Sequence, residues 1–178
     1  MPSDGLLPGA RALLSPNADA RPPGIEVSLA VLHCISLPPG QYGGDAIERL
    51  FLNRLDPAAH PAFGELAGLR VSSHFLLRRD GELVQFVPLE LRAWHAGASR
   101  WRGRQRCNDF SVGIELEGSD ASPFEAAQYA GLAALLRALR RRLPLRSIAA
   151  HSEVAPGRKT DPGAGFDWQR LFADLAAA

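Results

Sequence analysis

Residues Ile25 to Ser36 constrain the fold more than any other stretch of the chain. They contain V-S-L-A-V-L-H-C-I-S, a near-continuous apolar run. A surface helix would space its apolar residues three and four apart, and a half-exposed strand would alternate them. This run does neither, which predicts a strand buried on both faces, within a sheet covered on both sides. The other elements fit such a layered arrangement. Asp45 to Leu55 carries Ile47, Leu50, Phe51 and Leu55 at helical spacing and stops before Pro57. Val71 to Arg78 and Glu82 to Val87 read as a hairpin across the turn pair Asp80-Gly81. Phe110 to Gly118 reads as a further strand, with Glu115 and Glu117 on one side and Ile114 and Leu116 on the other. Ser122-Pro123-Phe124-Glu125 has the form of a capping box opening a helix. That helix has an apolar face of Phe124, Leu132, Leu135, Leu136 and Leu139, and Arg140, Arg141 and Arg142 at its end. A last helix is expected from Asp167 to about Ala177, with Trp168, Leu171, Phe172 and Leu175 on one face. The fold class is mixed α/β: a central, mostly β sheet flanked by helices.

At 178 residues the chain is expected to form a single domain over 1–178 with a substantial core. Residues 1–24 hold prolines 2, 8, 16, 22 and 23 and little periodicity. They are read as an extended N-terminal arm on the surface, partly ordered. Hydrophobic content of 46% and charged content of 22% fit a soluble globular protein. A net charge of +1 provides no general attraction to nucleic acid or membrane, so neither is an expected partner, and no protein partner is signalled. No run of about 18 apolar residues is present. The first residues lack a basic region followed by an apolar core, so no export signal is expected and a cytoplasmic location is. Cys34 and Cys107 suit reduced thiols and form no C-x-x-C pair.

The chemistry concentrates in His151 to Asp161, H-S-E-V-A-P-G-R-K-T-D. Ile148-Ala149-Ala150 leads into His151, which places it at a strand end. The stretch after it is too rich in Pro, Gly and charge for a helix, and a loop leaving a strand end can return Asp161 to the histidine. Imidazole and carboxylate both suit zinc, but a catalytic zinc takes three protein ligands plus an open position. His33, near the C-terminal end of the first strand, is the natural third candidate, although a lone buried histidine is more often a hydrogen-bonded core residue. His74 is read as structural and His60 as a turn residue. Of twenty basic residues only Lys159 is a lysine, two positions before Asp161. A compact point charge at that place is not interchangeable with a guanidinium. Trp94 and His95 read either as core packing or as the wall of a pocket. Arginines 100, 102, 104 and 106 mark the stretch around Trp101 to Asn108 as a solvated loop or a carboxylate-binding one.

Five motifs in order, H-C-I-S-L-P-P-G, V-S-S-H-F-L-L-R-R-D-G, R-A-W-H-A-G, C-N-D-F-S-V-G-I-E-L-E-G and H-S-E-V-A-P-G-R-K-T-D-P-G-x-x-F-D-W, resemble the AmpD family of zinc amidases. The resemblance runs from about Ile25 to Phe172. It implies the amidase fold shared with peptidoglycan recognition proteins, and hydrolysis of anhydro-muropeptides between the lactyl group and L-alanine in cytosolic cell-wall recycling. It further implies zinc ligands at His33, His151 and Asp161, a catalytic carboxylate at Glu115 and a catalytic lysine at Lys159. The expected partner is a small muropeptide, with Trp94 against the sugar and Arg70, Arg106 and Arg158 available to its stem carboxylates. Cys34 stands where the family often has Asn, which alters one expected substrate contact. Three competing readings remain: a periplasmic or phage-type wall-degrading amidase, a non-catalytic peptidoglycan-binding module, and an Fe(II) oxygenase with two His and one carboxylate.

Overall fold

The structure, a computed structural model, describes residues 5–177. Its strands are β1 (Arg11–Ala12), β2 (Ala18–Ala20), β3 (Leu29–Ile35), β4 (Phe75–Leu77), β5 (Leu83–Gln85), β6 (Leu91–Ala93), β7 (Arg100–Trp101), β8 (Arg104–Gln105), β9 (Ser111–Glu117) and β10 (Ser147–Ala150). Its α-helices are α1 (Ala46–Phe51), α2 (Ala126–Arg140), α3 (His151–Val154) and α4 (Trp168–Ala176). Short 3-10 helices cover Pro61–Leu66 and Cys107–Phe110. Among the described residues, the main sheet has six strands in the order β1-β5-β4-β9-β3-β10. The pairs β4–β9, β9–β3 and β3–β10 are parallel, and β4–β5 is the antiparallel hairpin. Its turn sits at Gly81, whose φ of 92° suits a residue without Cβ.

The apolar run of the first strand is explained by its position. β3 lies between two parallel neighbours, and its Leu29 to His33 are all buried. Alternate residues feed different layers. Ala30 and Leu32 join Val112, Ile114 and Leu116 of β9 under Leu132, Leu135, Leu136 and Leu139 of α2, with Leu171 of α4 beside them. Leu29 and Val31 face the other way, against Ala96, Cys107 and Phe110. Along that second face α1 places Ile47, Leu50 and Phe51 on Leu76, Val84 and Phe86. One face is therefore closed by long helices. The other is covered only by short elements and loops, which leaves room for a cleft.

Several boundaries differ from the sequence reading. The helix expected to Leu55 ends at Phe51, because Asn53 turns left-handed at φ 59° and the Arg54 N–H bonds back to Arg49 at 2.7 Å. The helix expected to open at Ser122 starts at Ala126 instead. Phe124 is buried against Phe166 and the core, which holds the chain extended, and Gln128 Oε1 caps the Glu125 N–H at 3.0 Å. His151 begins a four-residue helix, although that stretch was expected to be non-helical; Glu153 Oε2 accepts from the Ala150 N–H at 2.7 Å and closes the turn. The arginine-rich stretch forms the β7–β8 hairpin followed by a 3-10 turn.

Of the arm expected over 1–24, residues 1–4 lie outside the described residues, and the rest alternates turns near Gly9 and Gly24 with two short strands. It adds β1 to the sheet edge and pairs β2 with β6. Leu7 and Asn17 are buried, and the Asn17 amide donates to Val71 O at 2.8 Å. The arm's backbone groups and side chains are thus bonded to the body.

The fully buried Leu136 on α2 offers a test of this packing. Leu136→Ala should lower unfolding free energy by about 2–5 kcal/mol, read from urea denaturation. A loss under about 1 kcal/mol would contradict the placement of α2 over β3 and β9.

Candidate metal centre

Register brings the site together. Glu115 is the partner of His33 across β9 and β3, and Ala150 is the partner of Leu32 across β10 and β3. His151, the next residue, therefore reaches the level of His33. Three parallel strands present His33, Glu115 and His151 at one height, at their carboxyl ends, where open α/β sheets hold their ligands. Asp161 arrives from the other direction. The chain leaves α3, turns at Gly157 (φ 76°), and returns so that the Ser152 N–H donates to Asp161 O at 3.0 Å. Thr160 Oγ1 donates to Asp120 Oδ2 at 2.8 Å and anchors the loop on the far side.

The result is a tight triangle. His151 Nδ1 lies 3.0 Å from Asp161 Oδ2, His33 Nδ1 lies 3.2 Å from the same oxygen, and the two nitrogens are 2.9 Å apart. Three lone-pair atoms this close repel one another unless a cation or shared protons lie among them. For a tetrahedral ion with bonds of about 2.0–2.1 Å the ligand–ligand separation is about 3.3 Å, close to the spacing observed. Protonation agrees with a metal role. Burial pushes the His33 imidazole down to about 4, against the opposing pull of Asp161, so it is neutral at pH 7. Burial favours the neutral acid at Asp161, but hydrogen bonds with His151 and His33 override it and hold the carboxyl well below the usual range. Neutral imidazole and ionised carboxylate are the forms that bind metals.

Glu115 and Glu117 share a side of β9 but not an environment. Glu117 is bonded on both oxygens: Oε1 accepts from Gly43 N–H at 2.7 Å and from Arg78 at 3.1 Å, and Oε2 from Arg79 N–H at 3.3 Å. Glu115 is buried with Oε2 lacking any partner. Burial, reinforced by Asp161 and opposed by Lys159, pushes its carboxyl well above the usual range. A buried polar atom without a partner costs roughly 1–3 kcal/mol, and such atoms concentrate at functional sites.

These groups line one cleft of about 500 Å³. His33, Glu115, His151, Lys159 and Asp161 form its polar floor, with Trp94 and the apolar Leu66, Leu69 and Val71 on a wall. Arg70 is exposed between two of those wall residues. Arg106 and Arg158 line a shallower hollow next door. Arg106 Nε is 3.4 Å from Asp109, and Arg158 donates to Ala98 O. Cys34 borders the main cleft as a free thiol that burial raises to about 12. His74 is buried, with Nδ1 accepting from the Gly113 N–H at 3.0 Å, and His60 Nδ1 accepts from Ala62 N–H at 3.1 Å; neither reaches the cleft.

Sequence reading left His95 as either core packing or a pocket wall, and it lines the cleft. In the structure His95 Nδ1 is 2.9 Å from His33 Nε2, and its Nε2 is 3.2 Å from Ser111 Oγ. The signal was present in β9: Ser111 and Gly113 are the two small residues on the side that carries Glu115. Small residues there leave space for a large group from elsewhere.

The chain matches the family model "N-acetylmuramoyl-L-alanine amidase" over residues 23–164. It is 55% identical over 169 residues to the 1,6-anhydro-N-acetylmuramyl-L-alanine amidase AmpD of Escherichia coli (strain K12), covering 94% of this chain and 92% of that one. The crystal structure of a selenomethionine derivative of AmpD superposes with a TM-score of 0.95 at 52% identity, covering 98% and 99% of the two chains. The Escherichia coli amidase AmiD, solved with anhydro-N-acetylmuramic acid-L-Ala-D-γ-Glu-L-Lys, gives a TM-score of 0.61 at 31% identity over 83% of this chain and 57% of that one.

The triangle predicts its own dependence. Wild-type protein loaded with a divalent metal and desalted should retain about one ion per chain, and His33→Ala should retain close to none, as one of three ligands is gone. Elemental analysis makes the comparison. A His33→Ala variant that keeps a full equivalent would exclude this triangle as the site.

Proposed function

The chain belongs to the N-acetylmuramoyl-L-alanine amidase family, and on that premise we propose that it hydrolyses the amide joining the lactyl group of 1,6-anhydro-N-acetylmuramic acid to L-alanine, with zinc held by His33, His151 and Asp161. The observation that carries this reading is the pairing of that donor triangle with the unpartnered Glu115 carboxyl in one cleft. The muropeptide is suggested by the activity that AmpD's name carries and by the ligand solved in AmiD. The setting we propose is recycling of cell-wall fragments in the cytoplasm. Among the described residues no helix is long and apolar enough to cross a membrane.

A zinc ion in this site would supply Lewis acidity, polarising the scissile carbonyl and acidifying water. Glu115 Oε2 accepts the proton of the attacking water and returns it to the departing nitrogen of L-alanine. Its buried position raises its basicity, as suits a group that must take a proton and give it back. Lys159 borders the cleft near Asp161 and offers a positive charge to the oxygen that becomes negative as the carbonyl carbon turns tetrahedral. Trp94 presents an indole face to the sugar ring. Its backbone is pinned beside the cleft: the Trp94 N–H donates to Ser72 Oγ at 3.0 Å. Arg70, Arg106 and Arg158 are the guanidinium groups available for carboxylates of the peptide stem.

Incubation with an anhydro-muropeptide, with and without a chelator, followed by mass spectrometry tests the reading. Chelator-sensitive release of the intact peptide from the lactyl group is expected. Intact substrate in both arms, or cleavage indifferent to the chelator, would contradict it.

Glu115→Gln keeps the shape and removes the proton acceptor. It should retain zinc and substrate affinity and lose turnover by roughly 100-fold or more. Glu117→Gln should act through stability instead, because Glu117 is occupied by Arg78 and the Gly43 N–H. Full activity in Glu115→Gln would remove it from the chemistry.

A carboxylate–guanidinium contact at Arg158 should contribute roughly 1.5–3 kcal/mol to binding, or about 10- to 150-fold. Arg158→Ala should therefore raise KM strongly for peptide-bearing substrates and much less for one carrying only L-alanine amide. An identical penalty on both would exclude Arg158 from stem recognition.

A further inference from the structure

We infer that His95 is a positioning residue for the metal centre: it accepts the outer N–H of His33, fixing which nitrogen of that ring faces the cleft. The inference rests on the metal reading above and extends it to a residue that does not touch the ion.

The geometry determines the direction of each bond. His33 Nδ1 is the atom of the donor triangle, 3.2 Å from Asp161 and 2.9 Å from His151 Nδ1. With that lone pair committed to a cation, the ring's single proton resides on Nε2. That nitrogen lies 2.9 Å from His95 Nδ1, a separation that accommodates one proton, so His95 Nδ1 is the acceptor. The proton of His95 then belongs on Nε2, which donates to Ser111 Oγ at 3.2 Å. Every nitrogen in the chain His33–His95–Ser111 has one role and no two donors meet. Partners of this kind, one step behind a ligating imidazole, set its tautomer and plane and strengthen it as a donor.

The surrounding fold is shaped for this ring. Its face is nearly perpendicular to His33, with centroids 5.0 Å apart and planes at 88°. Asn108 Oδ1 accepts from the backbone N–H of both His95 and Ala96, at 3.2 and 2.7 Å, and so pins the segment that carries it. Gly113 supplies the space. A Cβ there would lie 2.5 Å from His95 Cγ and 2.6 Å from Cδ2, closer than side chains approach. Any residue but glycine at 113 displaces the ring.

His95→Leu and His95→Asn, similar in size, separate an acceptor from mere bulk. Each is titrated with zinc against a chromophoric chelator, with the thermal midpoint of the metal-free protein as a check on folding. His95→Leu should lose on the order of 10- to 100-fold in zinc affinity. His95→Asn, whose amide oxygen can take the place of Nδ1, should recover most of it. A Leu variant that folds and binds zinc as tightly as the wild type overturns the inference while leaving the metal reading intact. A wild-type chain that binds no zinc contradicts the metal reading itself. Should His95→Leu fail to fold, imidazole nitrogen NMR of the zinc-loaded wild type decides. His33 and His95 should both carry their proton on Nε2, and a proton on Nδ1 of His95 overturns the assignment.

Discussion

Everything at the centre depends on the parallel, in-register pairing of three adjacent strands. β3, β9 and β10 run side by side with Leu32 level with Ile114 and Ala150. The next residue along the chain is then His33, Glu115 or, just past the end of β10, His151. A strand shifted by one position would turn its functional side chain into the opposite layer, because side chains alternate with a period of two. The apolar residues between the functional ones lock that register. Leu32, Ile114 and Leu116 fit beneath α2, and a slip would put histidine and glutamate there instead.

The two faces of the sheet divide the work. The face under α2 and α4 is packed with leucine and supplies the burial that holds the strands. The face toward the cleft has short cover and uses polar bonds to order its loops. Arg78 spans Glu48, Glu117 and the Gly44 carbonyl, and so ties α1 and the loop before it to the end of β9. The arm contributes in the same way, through Asn17 to Val71 and through Asp19 to Arg92. These bonds tie α1, the arm and the segments around the cleft to the body of the protein.

Much of this was legible in the sequence, for identifiable reasons. The buried strand announced itself by a near-continuous apolar run, the hairpin by Asp80-Gly81, and the last helix by the spacing of Trp168, Leu171, Phe172 and Leu175. His151 and Asp161 are close in sequence and joined by turn formers, so their meeting was a local inference. The rest turns on contacts between distant residues. β1 and β2 are too short to carry a pattern and exist only because β5 and β6 accept them. The start of α2 moved because Phe124 found the core before the helix could begin. His95 was left between core packing and a pocket wall because its partners, Ser111 and Gly113, lie on another strand and mean little until the sheet stands beside it.

On the proposed reading, His33, His151 and Asp161 jointly bind one zinc ion in this cleft. Crystals grown with zinc and measured on both sides of its absorption edge test it directly. One anomalous peak per chain is expected within about 2.0–2.2 Å of His33 Nδ1, His151 Nδ1 and an Asp161 oxygen, with Glu115 outside bonding distance. A peak centred on other residues, or no peak between these three, would contradict it.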